Sequence, residues 1–325
     1  MLSAYVQQPQ GVVRAELSAD GALPADAFWF DLYEPTSLEE QRVESHLSID
    51  VPTRDEMREI ESSNRLYEEA GALYMTATVV TKLETALPEN TQITFILLPN
   101  NKLVTNRYVD PLPFKRFIAY AARHPNSCGT AAGCLAGLLE AIVNRIADVI
   151  ERVATNLDRA SDEVFSASNG RRRATRDFRR VLEELGQNGE VVSKARESLV
   201  SLGRLLAFLQ QATTVPLTQD TRARFRTVGR DVLALSDHAS FLGTKTAFIL
   251  DATLGMINID QNNILKIFSM VTVFLLPPSV IAAVFGMNFA AMPWLHESWG
   301  FGVTMALMLV SAIVPFVFFK RKGWL

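Results

Sequence analysis

The order of apolar and polar positions divides the chain into stretches of different character. AFWFDLYEP reads as a strand leading into a helix start, with SLEEQRVESHL as the helix. ALYMTATVVTKLE alternates as a strand does. TQITFILLPNNKLVTNRY predicts a β-hairpin turning at Pro99, Asn100 and Asn101. From Thr130 to about Gln211 the period becomes helical: Leu138, Ile142, Ile146 and Ile150 share one face, which Val153 and Leu157 continue. SASNGRRRATRDFRR interrupts this stretch, so it predicts two antiparallel helices with a basic tip. No proline falls between Pro216 and Pro277, and helical periodicity runs through Leu233, Phe241, Phe248 and Leu254. That predicts one very long helix from about Thr218, of a kind that needs lateral support such as an oligomer supplies.

The pattern changes again near the C-terminus. Ile267 to Phe285 and Phe301 to Phe319 are runs of about 19 residues without a charge, and roughly 20 apolar residues cross a bilayer core as a helix. A buried pair of core helices is the alternative. Two consecutive uncharged runs favour the membrane. Pro277, Pro278 and Pro315 would break a soluble helix but are tolerated in a membrane one. Lys266 precedes the first run and Lys320, Arg321 and Lys322 follow the second, while the loop 288–300 has no Lys or Arg. The excess of cations on one side predicts both termini in the cytoplasm and the loop outside. Trp294, Trp299 and Trp324 fall near the two interfaces, where amphipathic rings sit.

Two helices cannot enclose a water-filled path, so any pore needs several subunits. The first span carries its hydroxyls, Ser269, Thr272 and Ser279, on one helical face. A seven-residue ladder through that face joins Asp251, Asn258, Leu265, Thr272, Ser279 and Gly286, and the intermediate positions add Asn262, Ser269 and Leu276. Each hydroxyl could bond its own helix carbonyl. That accounts for one hydroxyl at a time, not for a face shared with two asparagines. The stripe predicts helices packed around a wet axis, with Leu265 and Leu276 as apolar constrictions.

Composition adds mostly exclusions. The 325 residues carry a net charge of -3, which does not suggest bulk nucleic-acid binding. Arg171, Arg172, Arg173, Arg176, Arg179 and Arg180 could meet nucleic acid or anionic lipid, but no aromatic platform interleaves them, so a solvated helix tip is the plainer reading. Cys128 and Cys134 lack metal-ligand spacing and read as buried small residues. MLSAYVQQPQ has neither the basic nor the apolar region of a cleavable signal peptide, which leaves the soluble part expected in the cytoplasm. His46, His124, His238 and His296 are scattered, and neither G-x-x-x-x-G-K-[ST], H-E-x-x-H nor G-x-S-x-G occurs. No enzyme is expected, and no internal repeat suggests an inverted-repeat transporter.

Gly286-Met287-Asn288 ends the first run, Met292-Pro293 lies in the loop, and FKRKGWL closes the second run. With MINIDQNNILKIFSMVTVFLLPPSVIAAVFGMN upstream, and MLSAYV and WFDLYEP near the start, the sequence resembles the CorA magnesium channels of bacterial type. The resemblance implies a funnel-shaped homopentamer. Each chain would give an α+β cytoplasmic domain, a long stalk helix and two transmembrane helices. The expected segments are 1–125 for the α/β domain, 126–216 for the helical hairpin and 217–266 for the stalk. Residues 267–287 would be the pore-lining span, 288–300 the external loop, 301–319 the second span and 320–325 a basic tail. The resemblance further implies a lipid bilayer of the bacterial inner membrane, no resident cofactor, and divalent cations as cargo: magnesium, with cobalt and nickel. Gly286, Met287 and Asn288 would form the selectivity filter, and the stripe falls on the family's pore-lining positions. Regulatory magnesium would lie between cytoplasmic domains, with Asp251 and Asp231 as candidates here and Glu89 as a candidate acidic partner. For Asp231, a solvated helix position is an equal reading.

The loop departs from the family pattern. Ala290 and Trp294 stand where acids are usual, and Glu297 is the loop's one acid, so the electrostatic lure for cations is weaker. A zinc or other transition-metal transporter of the related ZntB type, proton-coupled, is the alternative, set against an intact GMN. A non-transporting membrane-tethered scaffold is a third reading, against which the polar stripe argues.

Overall fold

A computed structural model describes the chain except residues 18–20, 83–87, 166–177, 288–293, 295–296 and 324–325 and the side chains of 62, 126 and 127. The chain forms two compact units, Met1–Asp251 and Ala252–Leu325.

The first unit opens with β1 (Leu2–Gln8), β2 (Gly11–Arg14), β3 (Ala27–Tyr33) and α1 (Ser37–Leu47). α1 starts at Thr36 in a reciprocal capping box: the Glu39 N–H donates to the Thr36 hydroxyl, and the Thr36 N–H donates to Glu39 Oε2 at 2.9 Å. A 3-10 turn (Glu56–Arg58) and a single helical turn, α2 (Ser62–Arg65), follow. Then come β4 (Leu66–Glu69), β5 (Ala72–Thr81), β6 (Glu89–Leu98), β7 (Lys102–Arg107) and α3 (Leu112–Ala121). The seven strands make one sheet in the order β2-β1-β3-β7-β6-β5-β4. β3 and β7 pair in parallel at its centre, and the remaining neighbours are antiparallel.

The predicted strand at 27–33, the helix at 37–47 and the hairpin turning at 99–101 form as read. β5 departs from the expectation of alternating exposure. All ten of its residues are buried, because both faces of the sheet are covered. Tyr74, Ile96, Val104 and Phe30 pack with Val43 of α1 on one face. On the other, Trp29 meets Phe117 and Phe95 stacks near Phe114, both from α3. Its threonines stay buried by bonding inward: Thr76 and Thr94 hydroxyls lie 2.8 Å apart.

Two long helices, α4 (Ala131–Phe165) and α5 (Phe178–Gln211), cover that second face. They run antiparallel, as Asn156 to Asn188 (3.3 Å) and Arg180 to Glu163 (3.1 Å) require. Beyond Met75, where β4 ends, the Thr78 and Val80 N–H groups donate to the Ser201 and Ser198 hydroxyls of α5 at 2.8 and 3.3 Å. Two serines thus satisfy an edge that would otherwise leave donors unpaired. Cys128 and Cys134 are buried and form no disulfide. Of the arginine tip, residues 171–176 lie outside the described residues; Arg179 and Arg180 pair with Glu183 and Glu163.

The next helix, α6 (Gln219–Phe285), runs without interruption through Pro277 and Pro278. In the first unit Arg224 of α6 makes two bonds to the Glu140 carboxylate, at 2.9 and 2.8 Å, Lys245 pairs with Asp158, and Phe248 stacks on Phe165. The apolar residues that mark its periodicity, Leu233, Phe241, Phe248 and Leu254, are exposed; Val228, Val232, Leu242 and Ile249 make the buried seam. The second unit holds the rest of α6 and α7 (Gly300–Arg321), which meet through Phe274 against Phe316 and Phe319.

Candidate functional site

The candidate site is built on the uncharged part of α6. Its Ile, Phe, Val and Leu content favours a helix wherever water is absent, and the carbonyls freed by Pro277 and Pro278 do not break it. Met270, Phe274, Pro277, Pro278, Ile281 and Phe285 are the shielded positions, and Phe274 and Phe285 carry the ring contacts to the chain that follows. Asn258, Asn262, Leu265, Ser269, Thr272, Leu276 and Ser279 are all exposed. They repeat every three or four residues, so they form one stripe. Thr272 and Ser279 stand two residues from Phe274 and Ile281, about 200° around the helix, on the side away from α7. Leu265 (62 % exposed) and Leu276 (58 %) are the apolar members of this face.

Two hydroxyls of the stripe bond locally. Thr272 donates to the Phe268 carbonyl at 2.9 Å and Ser279 to the Leu275 carbonyl at 2.6 Å. Both protons are therefore used within the helix, while the hydroxyl oxygens keep acceptor capacity toward the stripe's open side.

α6 ends tightly. The Gly286 N–H donates to the Ala282 carbonyl at 2.8 Å, and a Cβ on Gly286 would lie 3.0 Å from that oxygen. Met287 follows, half exposed. Asn288, with Ala290, Met292 and Pro293 of the loop, lies outside the described residues. Where the chain is described again, Trp294 stacks on Phe285 and sits 5.9 Å from Trp299. Gly300 starts α7 so close to the Trp294 carbonyl that a Cβ would come within 2.2 Å of its oxygen; only glycine fits there.

The candidate regulatory acids are not brought together within one chain. Asp231 and Asp251 are exposed on α6 and, among the described residues, neither makes an ion pair. Glu89 pairs with Lys82 at 2.8 Å. Among the described residues no three His, Cys, Asp or Glu side chains form a metal-holding cluster. The sequence reading passed over the unpaired arginines of α5 and α6, although Arg196 with Arg204 and Arg226 with Arg230 repeat at helical spacing.

Known proteins resolve the family. The profile of CorA-like Mg2+ transporter proteins matches residues 24–321. The chain belongs to the CorA-like Mg2+ transporter family. Within that family it is 32 % identical to a magnesium transport protein CorA of Yersinia pseudotuberculosis over 325 residues, all of both chains. It is 31 % identical to the protein of that name from Escherichia coli K12, again over the whole of each. Its fold matches the complete CorA magnesium transporter of Methanocaldococcus jannaschii with a TM-score of 0.77 at 20 % identity, covering 100 % of this chain and 99 % of that one. The cytoplasmic domain of ZntB from Vibrio parahaemolyticus is a weaker likeness: TM-score 0.59 at 12 % identity, covering 80 % of this chain and 98 % of that one. The CorA-like family is one of transporters, not enzymes. α7 and the uncharged part of α6 are this member's transmembrane helices.

Proposed function

We propose that the chain is one subunit of a homopentameric channel for passive uptake of hydrated magnesium, with cobalt and nickel as further cargo. The polar stripe of α6 carries this reading. Its members are uncharged, recur over six turns of one helix and lie on the side away from α7, so five copies of α6 can turn them to a common axis with the α7 helices outside. Residues 217–266 then serve as stalk, 267–287 as the pore-lining span, 288–300 as external loop and 301–319 as the outer span. Gly286, Met287 and Asn288 form the mouth, where a ring of neutral Asn288 amides accepts hydrogen bonds from the ion's water shell. Magnesium gives up that shell reluctantly, so weak outer-sphere contact suits entry and release.

The cationic flanks Lys266, Lys320, Arg321 and Lys322 support an orientation with both termini in the cytoplasm and the chain in the inner membrane. An inside-negative potential then gives a divalent ion roughly 4–5 kcal/mol per 100 mV. Exposed and unpaired, Asp231 and Asp251 are available to hold regulatory magnesium between neighbouring subunits. When internal magnesium falls, these acids repel and the closed arrangement loosens. No resident cofactor is needed.

One observation favours a second reading, a proton-coupled zinc transporter of the ZntB type: Ala290 and Trp294 replace the loop acids that would concentrate magnesium. Flux into liposomes with magnesium, cobalt, nickel and zinc, each with and without a proton gradient, separates the two. Magnesium entry that ignores the proton gradient is expected. Zinc entry that follows the gradient, with no magnesium entry, would sink the channel reading.

A further inference from the structure

The first unit carries a strongly cationic groove between α5 and α6 to which magnesium transport gives no role. It consists of two adjoining cavities, of about 1000 and 600 Å3, that share Val200 and Arg204. Arg65, Arg196 and Arg204 line the first, and Arg204, Arg226 and Arg230 the second; Glu197 is the one acid lining either. Gly203 and Gly229 let the helices approach closely along its floor: a Cβ on either would already touch a side chain of the other helix, at 3.6 and 3.4 Å.

Positive charge outweighs negative in this lining by five side chains to one. Among the described residues none of the five makes an ion pair, whereas Arg107, Arg180 and Arg224 of the same unit all do. Arg65 is partly buried and held by neutral acceptors, the Glu59 carbonyl and the Thr78 hydroxyl, the latter at 3.0 Å. Burial pushes its guanidinium below the usual range; Glu197 pulls against that, and the neighbouring Arg204 adds a lesser push in the same direction as burial. Glu197 is itself engaged, accepting a 2.6 Å bond from Asn90. Five guanidinium groups against the one carboxylate of Glu197 leave the groove with an excess of positive charge, which an anion of several charges relieves. Guanidinium forks match phosphate oxygens geometrically, and a di- or triphosphate presents enough of them for three arginines at once. The lining holds no aromatic side chain, so a nucleobase would find no stacking platform and a nucleic-acid strand no series of them.

We infer that the α5/α6 groove is a binding site for a polyphosphate group, gripped by Arg65, Arg196 and Arg204 at the phosphate end. A nucleoside triphosphate and free polyphosphate share that chemistry, and the groove reads the phosphates rather than the base.

The test is equilibrium binding to the full chain in detergent, in magnesium-free buffer at physiological salt, with ATP, tripolyphosphate and AMP as ligands. ATP and tripolyphosphate should saturate with similar Kd and compete, with AMP about tenfold or more weaker, since each lost charge-assisted contact costs about that factor. Arg204→Glu should weaken both polyphosphates by at least about tenfold, while Arg204→Lys retains part of the affinity; Arg204 is exposed, and an unchanged Tm shows that neither variant has unfolded. ATP binding that tripolyphosphate does not displace would mean that the base directs it, and would overturn the proposal. So would binding untouched by Arg204→Glu, or no saturable binding in the millimolar range. If neither polyphosphate binds and Arg204→Glu instead dissociates the assembly, a second copy of the chain covers the groove and the proposal is wrong. All of these readings are of binding, so they stand apart from whether the protein conducts magnesium.

Discussion

Leu38 on α1 and Leu309 on α7 are equally exposed, 61 % and 60 %, yet they answer to different solvents. In Met1–Asp251 an exposed leucine is an exception: Trp29, Phe30, Phe95 and Phe114 are fully covered, and charged side chains face outward in pairs. In Ala252–Leu325 exposure of Leu, Ile, Val and Phe is the rule, and between Ile267 and Phe319 the one formal charge is Glu297. One chain obeys the same physics twice. It buries apolar surface from water in the first unit and offers it to lipid in the second. Among the described residues, the polar stripe of α6 fits neither lipid nor a dry core.

The largest effect is expected where burial is most complete. Asp31 accepts two bonds from Arg107, at 3.0 and 2.9 Å, beneath Tyr33 and Phe114. Burial pushes the guanidinium's pKa down and the Asp31 carboxylate more than restores it. Asp31→Ala removes the buried partner of Arg107 and leaves the guanidinium only the more exposed Asp110, at 2.9 Å; it should cost about 3–5 kcal/mol in denaturant unfolding. Next, arginine at Leu309 should cost about 2.5–3.5 kcal/mol of membrane insertion, read as protein lost from the membrane fraction. Arginine at Leu38 should change Tm by no more than a surface substitution, about 0.5 kcal/mol. Equal outcomes at the two leucines would erase the contrast.

A pH effect sharpens the water-facing side. Partial burial raises the Glu39 carboxyl, but the Thr36 N–H, the Met1 ammonium at 3.0 Å and the Leu2 N–H prevail and hold it at about 2, below its ordinary 4.5. A depressed carboxylate stabilises the fold fully above 4.5 and loses that contribution as pH falls toward 2. Glu39→Gln should flatten the stability curve across that window and leave the curve's shape near neutrality unchanged. Thr36→Ala should cost about 1 kcal/mol for the lost cap, read in thermal unfolding.

Local signals were legible where period and punctuation agree. The strand at 27–33, the hairpin turn at 99–101 and the two uncharged runs needed only spacing, proline and charge. The sheet order was not, because the parallel pairing of β3 with β7 joins residues some 70 positions apart with no local mark. Complete burial of β5 was missed for a related reason: its covering layers arrive from α1 and α5. At the site, the stripe is periodic and could be read, whereas the arginine groove is assembled from β4's preceding turn, α5 and α6. Asp231 and Asp251 could be picked out as unpaired acids on one helix, but an acid supplied by a neighbouring subunit leaves no trace in one chain's spacing.

On the proposed reading one face of α6, and not merely an apolar helix, carries the ion. That reading is tested most directly by magnesium entry into proteoliposomes at a fixed inside-negative potential, comparing Thr272→Phe with Val271→Phe. Both positions are exposed in the single chain, and only Thr272 is on the stripe. The account predicts that Thr272→Phe blocks entry while Val271→Phe leaves it near the native rate. Equal conduction by the two variants would contradict it.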